Sequence, residues 1–198
     1  HQTPVASGRT DKDLHALRQV AHIDIPDFWK DLYKLQRMLN RHLHPYIHIK
    51  DIIQVEEKFH ARFSAIMRHY RYIISHESYQ PWLADYCHFY PAFDTNVCNE
   101  ILKLFLGEHD FGLFKKIGSE TKSDIRTIYE AKAYTYQNFT IISLKGTSFL
   151  RSQVRMMVAS TLAVLEGKLS IEALKEQVDA QHSHYKRLAP ATGLYLCR

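Results

Sequence analysis

Gly8-Arg9-Thr10-Asp11-Lys12-Asp13-Leu14-His15-Ala16 is a polar stretch that leads almost at once into Gln19-Val20-Ala21-His22-Ile23-Asp24-Ile25. The second stretch reads as a buried strand over Val20–Ile25. The first sets a carboxylate, Asp11, two residues after the guanidinium of Arg9 and four before the imidazole of His15. A lone Asp in such a loop commonly caps a turn. One that must stay ionised and attack a substrate needs a cation nearby, because an opposite charge within about 4–6 Å favours the charged form. Arg9 is placed to supply that charge, or to bind a phosphate beside it.

Working outward, Pro26-Asp27 opens a helix over about Phe28–Leu43. Phe28, Leu32, Leu35, Leu39 and Leu43 recur at helical spacing, and Pro45 stops the run. Ile47, Ile49, Ile52, Ile53 and Val55 suggest a second strand, interrupted near Asp51. Phe63–Ser75 suggests a third, since Arg68-His69-Tyr70-Arg71-Tyr72-Ile73-Ile74 is rich in β-formers. Glu77–Pro91 is aromatic and turn-rich and marks the expected boundary, giving units 1–80 and 81–198. In the second unit, Asp94 or Thr95 caps a helix through about Leu106, which Gly107 ends. Arg126–Tyr136 and Phe139–Lys145 flank Gln137-Asn138 as a hairpin. Phe149–Glu166 reads as a long helix closed by Gly167, Ser170–Gln181 as a short one, and Gly193–Cys197 as a last strand. This order predicts an α+β fold, a sheet covered on one face.

Composition narrows the function classes. The chain has 198 residues, enough for one large domain or two small ones, and a net charge of +5 with a pI near 9.0. Arg62, Arg68 and Arg71, with His60 and His69, are interleaved with Phe59, Phe63, Tyr70 and Tyr72. Cations for phosphates and aromatic faces for bases are what a nucleic-acid surface needs. The plainer reading is a solvated strand with ordinary surface charge. Cys87, Cys98 and Cys197 form no C-x-x-C pair, which suggests reduced thiols and a cytoplasmic setting. His42, His44 and His48, like His182 and His184, lack partners at ligand spacing, so no metal site is expected. The longest apolar run, Met156–Leu165, is far short of a membrane span.

The Asp11 stretch resembles the Gly-Arg-Thr-Asp-x-Gly-Val-His-Ala signature of the TruA-type tRNA pseudouridine synthases. Three further blocks resemble that family in the same order. They are Phe59-His60-Ala61-Arg62-Phe63-Ser64-Ala65 running into Arg68-His69-Tyr70-Arg71-Tyr72, then Phe149-Leu150-Arg151-Ser152-Gln153-Val154-Arg155, then Ala189-Pro190-Ala191-Thr192-Gly193-Leu194-Tyr195-Leu196. The resemblance covers nearly the whole chain. It implies two ferredoxin-like (RRM-like) units with mostly antiparallel sheets around a central catalytic cleft. By comparison with the family, the chain reads as a fragment that lacks a strand, a loop with a Tyr-Asp-Gly signature and a helix ahead of the Asp motif.

The activity implied is isomerisation of uridine to pseudouridine in the anticodon stem-loop of tRNA, without a cofactor, by a cytoplasmic homodimer. Asp11 aligns with the family's nucleophile, and Arg9 with an Arg thought to fill the space left by the extruded nucleotide. Tyr70 aligns with the active-site Tyr that stacks on the target base and is a candidate for handling the C5 proton. Arg155 aligns with the helix Arg that pairs with the catalytic carboxylate, and Leu194 with the apolar wall of the pocket. Arg62, Arg68 and Arg71 are read as phosphate contacts. The sequence departs from the family at Asp13-Leu14, where Gly-Val is usual, and at Met156, where the helix usually carries a polar Asn. Two rivals follow: an RNA-binding relative with impaired catalysis, and an Asp-dependent glycosidase, which would need a second carboxylate for which only Asp13 is near.

Overall fold

The computed structural model describes residues 3–8, 10, 12–118 and 121–198. In chain order the strands are β1 (Val5–Ala6), β2 (His15–Ala16), β3 (Ala21–His22), β4 (Arg68–Ser75), β5 (His88–Phe89), β6 (Gly107–Asp110), β7 (Ile125–Tyr136), β8 (Phe139–Gly146) and β9 (Leu194–Leu196). The helices are α1 (Leu32–Leu43), α2 (Thr95–Leu102), α3 (Gln153–Leu165) and α4 (Ile171–Val178). The α+β class with a mostly antiparallel sheet holds. No described helix is long and apolar enough to cross a membrane.

Two compact units are present. One is Val20–Ala65 with the N-terminal residues through Ser7, and the other is Gly8–Gln19 with Ile66–Arg198. This division differs from a cut at residue 80. Strand pairing is the reason: β4, expected with the first unit, pairs antiparallel with β8 along its whole length and with β9, while β2 pairs parallel with β9.

In the smaller unit α1 starts later than its apolar spacing predicts, because the Asp31 carboxylate accepts from Lys34 N at 2.9 Å and fixes the cap there. The strand expected over Val20–Ile25 is confined to β3. No strand forms over 47–55. Instead the Asn40 amide of α1 both accepts from Ile49 N (2.6 Å) and donates to Ile49 O (2.9 Å), joined by Gln36 Nε2 (3.0 Å). Side-chain amides thus satisfy the backbone that a neighbouring strand would have paired.

The larger unit is built on a sheet ordered β2-β9-β4-β8-β7-β6, with β5 added parallel to the end of β4. The β7–β8 hairpin forms at Gln137-Asn138 as expected, with Gln137 at a φ of 53°. Residues of alternate parity on β4, β7 and β8 (Tyr72, Ile74, Ala131, Ile142, Leu144) form one core with α2, α3 and α4. The long helix begins at Gln153 rather than at Phe149. Ser152 takes a φ of 63°, and the Gln153 amide oxygen accepts from Leu150 N at 2.8 Å, so a capped turn replaces the first helical turn. Gly167, at a φ of 69°, follows its C-terminus.

Candidate active site

Strand β4 lies between β9 and β8 and carries Tyr70 on the same face as Tyr72 and Ile74, against the core. Tyr70 is half-buried. Its ring meets Phe149 edge-on, with centroids 5.2 Å apart and planes at 86°. A Cβ placed on Gly8 would stand 3.8 Å from the Tyr70 hydroxyl, so the start of the Asp motif lies beside this tyrosine. Arg9 and Asp11 themselves lie outside the described residues.

The residues around them are held at both ends of the loop. Gln19 Nε2 donates to the Gly8 carbonyl at 2.9 Å. At the other end Leu14 packs on the core, and His15 stacks between Tyr86 (5.4 Å, 21°) and Tyr195 (4.7 Å, 26°). The His15 ring nitrogen Nε2 bonds the Asp85 carbonyl at 2.6 Å, and the Tyr195 hydroxyl donates to the Tyr86 carbonyl at 2.7 Å. Asp13 adopts a φ of 68°, the backbone region that glycine favours. An Asp in place of the family's usual Gly is therefore compatible with the turn.

Helix α3 supplies Arg155, which is half-buried although the helix around it is buried on nearly all sides. Its Nε donates to the Ala189 carbonyl at 2.7 Å, and Ala189 N donates back to the Arg155 carbonyl at 3.1 Å. The first bond holds the guanidinium at Nε, and the second ties the backbone of Ala189 to α3. Leu194 opens β9 opposite Tyr72 and is 4% exposed, a core position.

The three arginines read as phosphate contacts differ in exposure. Arg71 is exposed, whereas Arg68 is only 7% exposed and points to the core side with Tyr70 and Tyr72. Three residues of separation on a strand put the two on opposite faces. Arg62 is exposed and belongs to the smaller unit.

On the face of Arg71, His69 bonds Ser143 (2.9 Å) and Ser143 donates to Glu130 (2.7 Å), which also pairs with Lys132 and Lys145 at 3.1 Å each. Burial pushes the Glu130 carboxyl up, but the bonds from Ser143, Lys132 and Lys145 outweigh it and bring it to about 2. Burial, then Lys145 and Arg71, hold His69 below the usual imidazole range. Sequence reasoning quoted Phe149, Tyr72, Ala189 and Pro190 within the family blocks but missed the contacts that these residues make. Their association depends on contacts across the fold.

Fold and site together define a class: a helix-backed, mostly antiparallel sheet whose central strand sets a tyrosine beside an Asp-bearing loop and whose buried helix carries a held arginine. A family model described as tRNA pseudouridine synthase matches residues 101–198. A tRNA pseudouridine synthase A of Campylobacter jejuni is 47% identical over 192 residues, covering 97% of this chain and 80% of that protein. Those of Helicobacter hepaticus (38% over 197 residues, 98% of this chain and 79% of that protein) and Wolinella succinogenes (35% over 192, 97% and 76%) are also similar. The chain belongs to the tRNA pseudouridine synthase family.

Proposed function

We propose that this chain isomerises uridine to pseudouridine in the anticodon stem-loop of tRNA, working in the cytoplasm as a homodimer with tRNA spanning both subunits. The N1–C1′ bond breaks, the base turns, and a C5–C1′ bond forms. The proton leaves C5 and one is gained at N1, so the product is an isomer and no electrons are exchanged. Asp11 is the nucleophile that opens the step and Arg155 its cationic partner. Tyr70 stacks on the base, and its hydroxyl handles the C5 proton. Leu194 belongs to the apolar wall of the pocket, and Arg9 fills the space the flipped nucleotide leaves. Arg62 and Arg71 meet phosphates, and Arg68 acts from a buried position at the edge of the same strand.

The observation that carries this reading is the placement of Gly8, the first residue of the Asp motif, against the hydroxyl of Tyr70. Two separate blocks of sequence, each resembling the family's motifs, meet there. Tritium release from C5-labelled bulk tRNA tests it. Asp11→Asn, isosteric but without the charge, abolishes release while circular dichroism and tRNA affinity stay close to those of the natural chain. Measurable release above background by Asp11→Asn overturns the assignment.

A further inference from the structure

We propose that the Tyr72 hydroxyl is a positioning group for Arg155, acting through the adjacent carbonyls of Ala189 and Pro190. The inference rests on the reading of Arg155 as an active-site residue. Tyr72 is fully buried in β4, and its hydroxyl donates to the Pro190 carbonyl at 2.9 Å. A buried phenol is expected to find such a partner. Here the partner is a backbone group 118 residues away in sequence, and it adjoins the very carbonyl that receives Arg155 Nε.

One of the two torsions that link the two carbonyls is locked. They lie on successive peptide planes joined at Pro190, where the ring locks φ, here −50°. Ala189 is 3% exposed and is tied to α3 a second time through its own N–H. The segment beyond is equally confined: a Cβ on Gly193 would lie 2.8 Å from Tyr72 Cζ and 2.9 Å from the Ile73 carbonyl, so the turn at Ala191–Gly193 closes directly on the tyrosine ring. A shift of the Pro190 carbonyl therefore passes to the Ala189 carbonyl and from there to the guanidinium. Burial holds the phenol far above its ordinary ionisation range, so it remains a donor throughout the working pH.

Removing the hydroxyl leaves the Pro190 carbonyl without its donor and frees the pair to turn. Single-turnover rates and KM for tRNA are compared for the natural chain, Tyr72→Phe and Pro190→Gly. The second variant keeps Tyr72 and removes only the ring that couples the two planes, at an exposed position. Both lose about ten- to a hundred-fold in rate, with KM within about twofold, because small misplacements of a catalytic group cost rate rather than binding. Introducing 4-aminophenylalanine at position 72, which restores a donor, recovers most of the rate. Full rate in both variants, or a rate loss in Tyr72→Phe that the restored donor does not recover, overturns the inference. An Arg155→Leu variant separates the levels: if it keeps full rate, the site reading itself fails and this inference with it. If it is inactive while Tyr72→Phe and Pro190→Gly are fully active, only the role of Tyr72 is lost.

Discussion

Asp13 sits at a φ of 68° two residues after Asp11, between Thr10 and a leucine that packs on the core. Left-handed backbone costs an ordinary L residue about 1–2 kcal/mol, and Asp is among the few that tolerate it, since its short polar side chain bonds locally. The expected order of stability is thus Gly at or above Asp, and Asp above any β-branched residue. Asp13→Val should lower the unfolding free energy by about 1–2 kcal/mol, read from thermal or urea unfolding, whereas Asp13→Gly should leave it equal or slightly higher. Equal stability of the Val variant would mean that the turn relaxes freely. The same turn leads into His15, whose ring is clamped between Tyr86 and Tyr195, so strain at Asp13 is not absorbed downstream.

Among the elements, β5 is short but lays His88 between the rings of Tyr72 (5.9 Å, 85°) and Tyr90 (5.5 Å, 55°). Its Nδ1 is buried with no hydrogen-bond partner among the described residues. Burial holds the imidazole below its usual 6.5, and Glu166, whose carboxylate accepts from the Tyr90 hydroxyl at 2.5 Å, only partly opposes this. A depressed folded-state pKa means that the unfolded chain takes up the proton first. Stability is then fully present above about 6.5 and is lost as pH falls from there through the folded-state value. The melting temperature should accordingly drop between about pH 7 and 5. His88→Phe should flatten that drop in part, because His69, depressed by burial, Lys145 and Arg71, contributes in the same direction. An unchanged slope in His88→Phe would place its source elsewhere.

For the whole molecule, a net charge of +5 attracts RNA without saying which residues touch it. The two faces of β4 distinguish them. Each phosphate neutralised contributes about −0.7 to −0.9 to the log–log slope of binding against salt. Arg71→Ala should flatten the tRNA-binding slope by roughly one such contact and leave the melting temperature close to normal. Arg68→Ala should do the reverse, lowering the melting temperature, because its side chain is enclosed on the core side. A slope unchanged by Arg71→Ala would move the RNA path off this face of the sheet.

What the sequence determined by itself was local or carried by whole motifs. Two runs flanking Gln137-Asn138 located the hairpin, Asp94 or Thr95 as a cap located α2, and four ordered blocks pointed to the family. Period, cap and motif are written in neighbouring residues, so they need no knowledge of the rest of the fold. Tertiary structure decided the remainder. The apolar run near Ile47–Val55 forms no strand because Asn40 and Gln36 on α1 occupy the backbone of its residue Ile49. Residues Gly8–Gln19 join the larger unit because β2 finds β9, with Leu17 N donating to the Leu196 carbonyl at 2.8 Å. Arg68 is buried and Arg71 exposed because sheet order selects which parity of β4 meets the helices, and a period of two says only that they differ. Tyr72 reaches Arg155 through a carbonyl pair far along the chain, since a sheet brings together residues that no local pattern connects.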